Sequence, residues 1–359
     1  MLSRYRIIWL LAAVIGAPPL AGCVSPALSE WSYVLSTGSG QVGLLLLTVP
    51  IEQGLEDPAL TDDQRDKLAV VIAARDYAGQ VIGLNVGENY QTLVNLHGEP
   101  LAWNLSASPK DKIEAYVWDL PIVGQISYLG FFTLDEATME RDRLVAEKYD
   151  TLIYEVDAYS TLGILPDPVT TALLERPMDG LADTIFHELT HATVYGGRNT
   201  VFDESVAVFV ARTATGAFLE DHYGSDSDMV RTARENYEDT DRFNTFLADL
   251  RNQLEKLYNS DLSREEKITA REPIFDAARQ RMEDEILPQM HYPEHYQKYT
   301  GFNFNNAFIL VNARYNTDLD LFAAIYEQAG RNWPRALDML RQAAAAADPF
   351  AFLRGQLAD

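Results

Sequence analysis

The spacing of hydrophobic residues separates a strand-rich stretch of the chain from helical stretches on either side. Helical spacing predicts a helix that begins at Thr61, where Gln64 completes a capping box, and ends at Gly83. Between Tyr90 and Phe132 the spacing becomes that of strands, with serine and proline interrupting it. The predicted strands there are Leu101–Leu105, Ala115–Trp118 and Ile126–Phe132.

Helical spacing dominates the rest of the chain. A helix from Leu134 to Tyr149 and a short strand from Thr151 to Val156 come first. Further on, two long charged amphipathic segments predict a helical hairpin that faces solvent. The whole pattern predicts an α+β, mostly helical fold with a small N-terminal mixed sheet and a C-terminal helical region. The later predicted helices are Asp226–Tyr258, Ser263–Ile286, Asn305–Tyr315, Asp318–Gln328 and Trp333–Ala346.

An H-E-x-x-H pattern runs from His187 to His191 in a predicted helix from about Asp179 to Tyr195. Residues four apart share one face of a helix, so both imidazoles can reach the same metal ion. The pattern is typical of zinc metallopeptidases, in which Glu188 would act as general base on a zinc-bound water. The alternative is a chance match between two ordinary helix histidines. The largely apolar character of this helix favours the metal site.

Glu204 is the predicted third metal ligand. It lies thirteen residues after His191, a gap that suits a tight turn and the start of an antiparallel helix. That helix is apolar on most sides, and a buried carboxylate needs a partner such as a metal ion. Asp203 and His222 are rival ligands. The ordinary alternative for Glu204 is a helix-start carboxylate stabilised by the macrodipole.

Peptide hydrolysis needs further groups besides the metal ligands. The candidate donors of a hydroxyl that stabilises the developing oxyanion are tyrosines. Tyr159 is the first choice, and Tyr299 and Tyr315 are the alternatives. An aminopeptidase must also hold a free ammonium group, for which Asp157 and Asp119 are candidates. The ordinary alternatives are tyrosines that only pack and loop carboxylates that are only solvated.

Charge and composition limit the class of partner and bound the domain organisation. The formal net charge is -24. Such a charge argues against nucleic acid and against docking on anionic lipid, because both need basic patches.

With 359 residues, 47% of them hydrophobic, the chain can bury a substantial core. We predict a single domain over residues 41–359, with its sheet at about 90–160, the metal-binding helices at about 179–222 and the remaining helices at about 226–359.

The first residues have the features of a secretory signal. Arg4 and Arg6 precede an apolar run from Ile7 to Ala17, which is too short to span a bilayer well. The segment ending at Cys23 resembles the lipobox of bacterial lipoproteins. That resemblance implies a signal peptide over residues 1–22, acylation of Cys23 and a tether over residues 23–40, with the alternative of an uncleaved N-terminal anchor. We therefore predict a lipid-anchored protein of the bacterial cell envelope, at the outer membrane and facing the periplasm.

Several segments together match one family. The chain resembles the bacterial aminopeptidase lipoproteins, predicted zinc peptidases with an N-terminal lipoprotein signal. The resemblance implies a zincin-like catalytic core in which His187, His191 and Glu204 bind one zinc ion and Glu188 is the base. The segments that carry it are Ala158–Gly163, Asp167–Pro168, Leu181–His191 and Phe202–Ser205.

The chain departs from the family pattern at four positions. Asp203 replaces the usual asparagine, Leu129 stands where arginine is expected, and Gln125 replaces a cysteine. Ala211 stands where an acidic residue is common. The changes at Asp203 and Leu129 can alter the hydrogen bonds around the ligands or the contacts with substrate, so they bear on substrate preference while leaving the predicted metal ligands intact.

The favoured function is a membrane-anchored zinc metallopeptidase that hydrolyses peptide bonds, with aminopeptidase action as its favoured form. Its predicted partners are a peptide substrate and, through acylated Cys23, a lipid bilayer, but no nucleic acid. The alternative is a non-catalytic envelope lipoprotein that uses a zincin fold for binding or assembly. The intact glutamate of the motif argues against that alternative, because binding alone does not need a general base. The sequence does not predict the oligomeric state.

Overall fold

A computed structural model of the protein describes Tyr33 and residues 43–120, 124–158 and 165–358. The predicted signal peptide, the lipidation site Cys23 and, apart from Tyr33, the predicted tether lie outside these residues. Within the described part of the chain, no helix is both long and apolar enough to cross a membrane. The predicted anchor and localisation therefore stay predictions.

The strands of the described residues form three small sheets. In the first sheet the order is β1–β2–β8, with β1 antiparallel and β8 parallel to β2. The second is the antiparallel sheet β6–β3–β7, and the third is the hairpin β4–β5. In chain order the strands are β1 (Val49–Pro50), β2 (Thr92–Val94), β3 (Ala102–Pro109), β4 (Trp118–Leu120), β5 (Gly124–Ile126), β6 (Leu129–Phe131), β7 (Tyr149–Val156) and β8 (Val169–Thr170).

The described strands form three small sheets instead of the one mixed sheet predicted. The parallel pairing that makes one sheet mixed joins β2 to β8, which lies beyond the predicted stretch of 90–160. The strand break predicted at Ser108–Pro109–Lys110 comes two residues later than expected, since Ser108 and Pro109 still pair with β7 and β3 ends at Pro109. Proline is tolerated there because it is the last residue of the strand. Of the predicted strand at 115–118, Trp118 alone is extended in a sheet.

Helices make up most of the described chain, so the predicted α+β, mostly helical class is confirmed. The capping box of Thr61 and Gln64 is present, and this helix ends through a π-helical turn at Gly83, whose φ is +84°. The helices are α1 (Ile51–Leu55), α2 (Asp62–Tyr77), α3 (Leu134–Ala146), α4 (Met178–His191), α5 (Thr200–Tyr223), α6 (Asp228–Tyr258), α7 (Arg264–Arg281), α8 (Pro293–Tyr296), α9 (Asn306–Tyr315), α10 (Leu319–Gln328), α11 (Trp333–Ala345) and α12 (Pro349–Ala358).

The helical hairpin α6–α7 faces solvent on one side only, so the prediction of a solvent-facing hairpin needs correction. Its inner face buries Phe246 and Leu250 of α6 and Phe275 of α7. These residues form a hydrophobic cluster with Phe304 and with Phe308 of α9. The amphipathic pattern of the hairpin is therefore a packing surface as well as a solvated one.

Helices α4 and α5 lie in the largest hydrophobic cluster of the described residues. Leu181, Ile185 and Leu189 of α4 are fully buried there, as are Val206 and Val210 of α5. The H-E-x-x-H helix ends at His191, four residues before the predicted end. Because α4 and α5 pack directly on each other, the polar side chains between them are held in a rigid, largely apolar setting.

Candidate metal centre

The side chains of His187, His191 and Glu204 converge between α4 and the start of α5. The Nε2 atoms of the two histidines are 3.2 Å apart. The Glu204 Oε2 atom lies 3.3 Å from each of them. These three atoms form a nearly equilateral triangle of two imidazole nitrogens and one carboxylate oxygen.

The triangle has the dimensions of a zinc site. Ligand atoms at about 2.0–2.1 Å from a tetrahedral ion are separated from one another by about 3.3–3.4 Å. The observed separations of 3.2 and 3.3 Å agree with this spacing. Two histidines and one carboxylate are also a donor set found in catalytic zinc sites, in which one position stays open. The residues present therefore fit a zinc ion.

Electrostatics in the triangle favour a positive charge beside Glu204. Burial alone would raise the pKa of Glu204, but hydrogen bonds and charge from His187 and His191 lower it well below its usual value. Burial disfavours protonation of His191, yet the Glu204 carboxylate raises the pKa of its imidazole above the usual value. In the absence of a metal ion, a proton on the imidazole supplies this positive charge. A metal ion bound in the triangle would supply it instead.

Asp203, a rival third ligand, points to the loop between the helices rather than into the triangle. Its two carboxylate oxygens accept hydrogen bonds from the backbone N–H groups of Gly196 and Gly197, both at 2.9 Å. A Cβ atom at Gly196 would overlap the carbonyl oxygen of Ala344 in α11. The loop is therefore packed against α11 on one side and hydrogen-bonded to Asp203 on the other. Asp203 thus fixes the turn that sets α5, and with it Glu204, against α4.

Replacing Asp203 by alanine should lower zinc affinity by about 10- to 100-fold, because the turn that places Glu204 loses its anchor. Asparagine at this position, which the resemblance leads one to expect, keeps one acceptor oxygen and should lose less. Titration of both variants with a competing chelator measures the difference. An unchanged zinc affinity in the alanine variant would show that the turn does not position the ligand.

His222, the other rival, lies at the opposite end of α5 from Glu204. Its ring stacks on Phe218, with 5.3 Å between the ring centroids. Among the described residues, the triangle contains the one group of three histidine, cysteine or acidic side chains that could hold a metal ion. His222 is therefore outside the candidate metal centre.

The three tyrosines proposed from the sequence have different positions. Tyr159 lies outside the described residues. Tyr299 packs in the cluster of the α6–α7 hairpin, where its ring stacks on Phe243 at 4.6 Å. The ring of Tyr315 is 6.1 Å from that of His187. Burial, with the charge of Glu204, raises the pKa of Tyr315 well above its usual value, so its hydroxyl keeps the proton that it would donate.

The two aspartates proposed to hold a substrate ammonium group have different surroundings. Asp157 accepts two hydrogen bonds from the Arg176 guanidinium, at 2.6 and 3.0 Å. Asp119 lies in β4 rather than in a loop, and its side chain is exposed. The positive charge beside Asp157 already satisfies its carboxylate, so its assignment to a substrate ammonium group loses its basis. The assignment of Asp119 stays a prediction.

Two tyrosines near the site were missed from the sequence as functional residues. Tyr90 is 2% exposed and has a φ of +57°, and its hydroxyl has no hydrogen-bond partner among the described residues. Its pKa is raised by burial and by the charge of Glu188, the predicted base. Tyr128 likewise has a raised pKa through burial and the charge of Glu204. Strained backbone and an unsatisfied buried hydroxyl are features that concentrate at functional sites.

The fold and the site define a mostly helical α+β protein with a candidate centre of two histidines and one glutamate. The chain belongs to the family described as "Putative aminopeptidase", whose family model matches residues 32–349. The family assignment supports peptidase activity. No curated protein and no solved structure matches the chain.

Proposed function

We propose that the protein is a zinc-dependent aminopeptidase, anchored to the bacterial outer membrane through acylated Cys23 and facing the periplasm. The observation that carries the proposal is the triangle of His187, His191 and Glu204, whose 3.2 and 3.3 Å edges suit zinc, with Glu188 between the histidines on the same helix. The family assignment supports peptide as the substrate class. The lipobox-like segment that ends at Cys23 supports the envelope location.

The reaction assigns separate roles to the residues of the centre. A bound zinc ion supplies Lewis acidity toward the scissile carbonyl and lowers the pKa of water. His187 and His191 would hold the ion through Nε2, and Glu204 would add one negatively charged oxygen ligand. The Glu188 carboxylate takes a proton from the attacking water and passes it to the amide nitrogen that leaves as the new amino terminus.

Tyr315 is the residue we assign to the developing oxyanion. Its ring lies 6.1 Å from that of His187, and its pKa is raised well above the usual value by burial. The phenol therefore stays protonated and serves as a hydrogen-bond donor in a water-poor setting, where such a donor is most effective.

Metal removal tests the proposal directly. The purified protein should hydrolyse peptides with a free amino terminus, should lose this activity to a chelator, and should regain it with one equivalent of zinc. Blocking the substrate amino terminus with acetyl should abolish cleavage, which distinguishes aminopeptidase from endopeptidase action. His191→Ala should lose zinc, whereas His222→Ala is the matched control on α5 and should retain zinc and activity.

Two results would contradict the proposal. Activity that survives the removal of all zinc would exclude the metal-dependent reaction. Stoichiometric zinc without hydrolysis of any peptide would favour the non-catalytic envelope lipoprotein instead.

A further inference from the structure

Arg314 of α9 is a buried cation without a carboxylate partner among the described residues. Arg314 is 5% exposed, and its Nη1 atom has no hydrogen-bond partner in the part of the chain that the structure describes. Its Nη2 atom makes one long contact of 3.5 Å to the carbonyl oxygen of Ser127. The guanidinium lies over the ring of Tyr128, 4.8 Å from the ring centroid.

A second arginine of equal burial shows what Arg314 lacks. Arg271 is 4% exposed and donates two hydrogen bonds to the Asp150 carboxylate, at 2.7 and 3.0 Å. Burying a charge is costly unless an opposite charge or several hydrogen bonds compensate it. The cation–π contact of Arg314 compensates only part of this cost. Arg314 is therefore a buried positive charge with an unused donor.

Arg314 contacts residues that adjoin the candidate metal centre. Its carbonyl oxygen accepts a hydrogen bond of 3.2 Å from the hydroxyl of Ser205, the residue after Glu204. Its neighbour Tyr315 has its ring 6.1 Å from that of His187. Tyr128 lies against the Arg314 guanidinium, and the negative charge of Glu204 contributes to the raised pKa of Tyr128. Arg314 therefore packs against a residue that is influenced by the charge of the metal-capable Glu204.

We propose that Arg314, together with the ring of Tyr128, binds a carboxylate of the peptide substrate. The inference rests on the proposed peptidase function and adds the substrate class, which is peptides with a carboxylate close to the scissile bond. This carboxylate is either the C-terminus of a short peptide or an acidic side chain. A planar guanidinium is suited to such a group, and a carboxylate would complete the hydrogen bonding of Nη1.

The test measures peptide binding without turnover. The zinc-loaded Glu188→Gln protein, which lacks the proposed base, is titrated by calorimetry with Ala–Ala, with its C-terminal amide and with Ala–Glu amide. A charge-assisted bond to Arg314 should make at least one carboxylate peptide bind about 10-fold or more tightly than Ala–Ala amide. Ala–Ala reports the C-terminal source and Ala–Glu amide the side-chain source. Equal affinities for all three peptides, or no binding of any, overturn the proposal.

Variants of Arg314 separate recognition from a structural role. Arg314→Leu should abolish the preference for a carboxylate while zinc content is unchanged and the melting temperature is not lowered, because an uncompensated charge is removed. Arg314→Lys keeps the charge without the planar fork and should retain part of the preference. Arg271→Leu is the matched control, which should lose stability but keep the preference. A destabilised Arg314→Leu protein with its preference intact would assign Arg314 to structure.

The proposed function and this inference fail in distinguishable ways. If the wild-type protein hydrolyses free-amine peptides but shows no difference between carboxylate and amide forms, the peptidase function stands and the role of Arg314 is wrong. If it hydrolyses no peptide at all, the proposed function fails, and the calorimetric comparison still decides whether Arg314 binds carboxylates.

Discussion

Replacing Glu188 by glutamine should lower kcat/KM for peptide hydrolysis by about 10²- to 10⁴-fold, the range that a general base contributes. The amide side chain has nearly the same shape but cannot accept the proton of the attacking water. Glu188 is not part of the triangle of His187, His191 and Glu204, so zinc should remain bound at one ion per chain. Steady-state kinetics with metal analysis on the same sample measure both quantities.

Glu220→Gln is the matched control, since Glu220 lies in α5 with an exposed side chain. This control should retain full activity. Full activity in the zinc-loaded Glu188→Gln protein would exclude Glu188 as the base. Loss of zinc from that protein would instead show that Glu188 supports the metal centre.

Arg271→Leu should lower the free energy of unfolding by about 3–5 kcal/mol, because it leaves the buried charge of Asp150 without its principal partner. The Asp150 side chain is 5% exposed, like that of Arg271. Asp150 also accepts a hydrogen bond from the backbone N–H of Asn306, so it joins β7 to the start of α9 as well as to α7. Urea unfolding of the wild-type and variant proteins measures the change.

Arg281→Leu is the control on the same helix. Arg281 pairs with Asp249, but both side chains are partly exposed, at 34% and 47%, and such a pair contributes about 0–1 kcal/mol. A loss in Arg271→Leu no larger than that in Arg281→Leu would mean that the burial of the Asp150 pair is compensated elsewhere.

The sequence predicted the metal-capable residues well because their arrangement is local. His187 and His191 share a helical face because of their spacing alone. Glu204 follows after the short loop that connects α4 to α5. The structure brings these three side chains together as predicted. The role of Asp203 was less accessible, although the neighbouring Gly196 and Gly197 gave a hint that backbone N–H groups in this loop would need an acceptor.

The surroundings of the site depend on contacts that no local pattern encodes. Tyr90 and Arg314 lie far apart in the chain, and neither has a spacing that marks it. What distinguishes them is an unused buried polar atom, which becomes visible only when the packing is known. Strand pairing is likewise not encoded by a local pattern, since the pairing of β2 with β8 joins residues more than seventy positions apart.

Amphipathic patterns predicted the later helices but not what their apolar faces touch. Phe243, Phe246 and Leu250 follow the spacing of one helical face, which identifies α6. The pattern cannot say that Phe304 and Phe308 cover this face, because their positions are set by the whole fold. The solvent-facing assignment failed for this reason.

The closeness of the metal-capable residues along the chain has a consequence for folding. His187 and Glu204 are 17 positions apart, whereas Asp150 is 121 positions from Arg271 and 156 from Asn306. Closing a short loop costs less chain entropy than closing a long one, and local contacts form faster. We therefore expect the α4–α5 pair to organise early, and the network around Asp150 to form only when the distant segments of the chain come together.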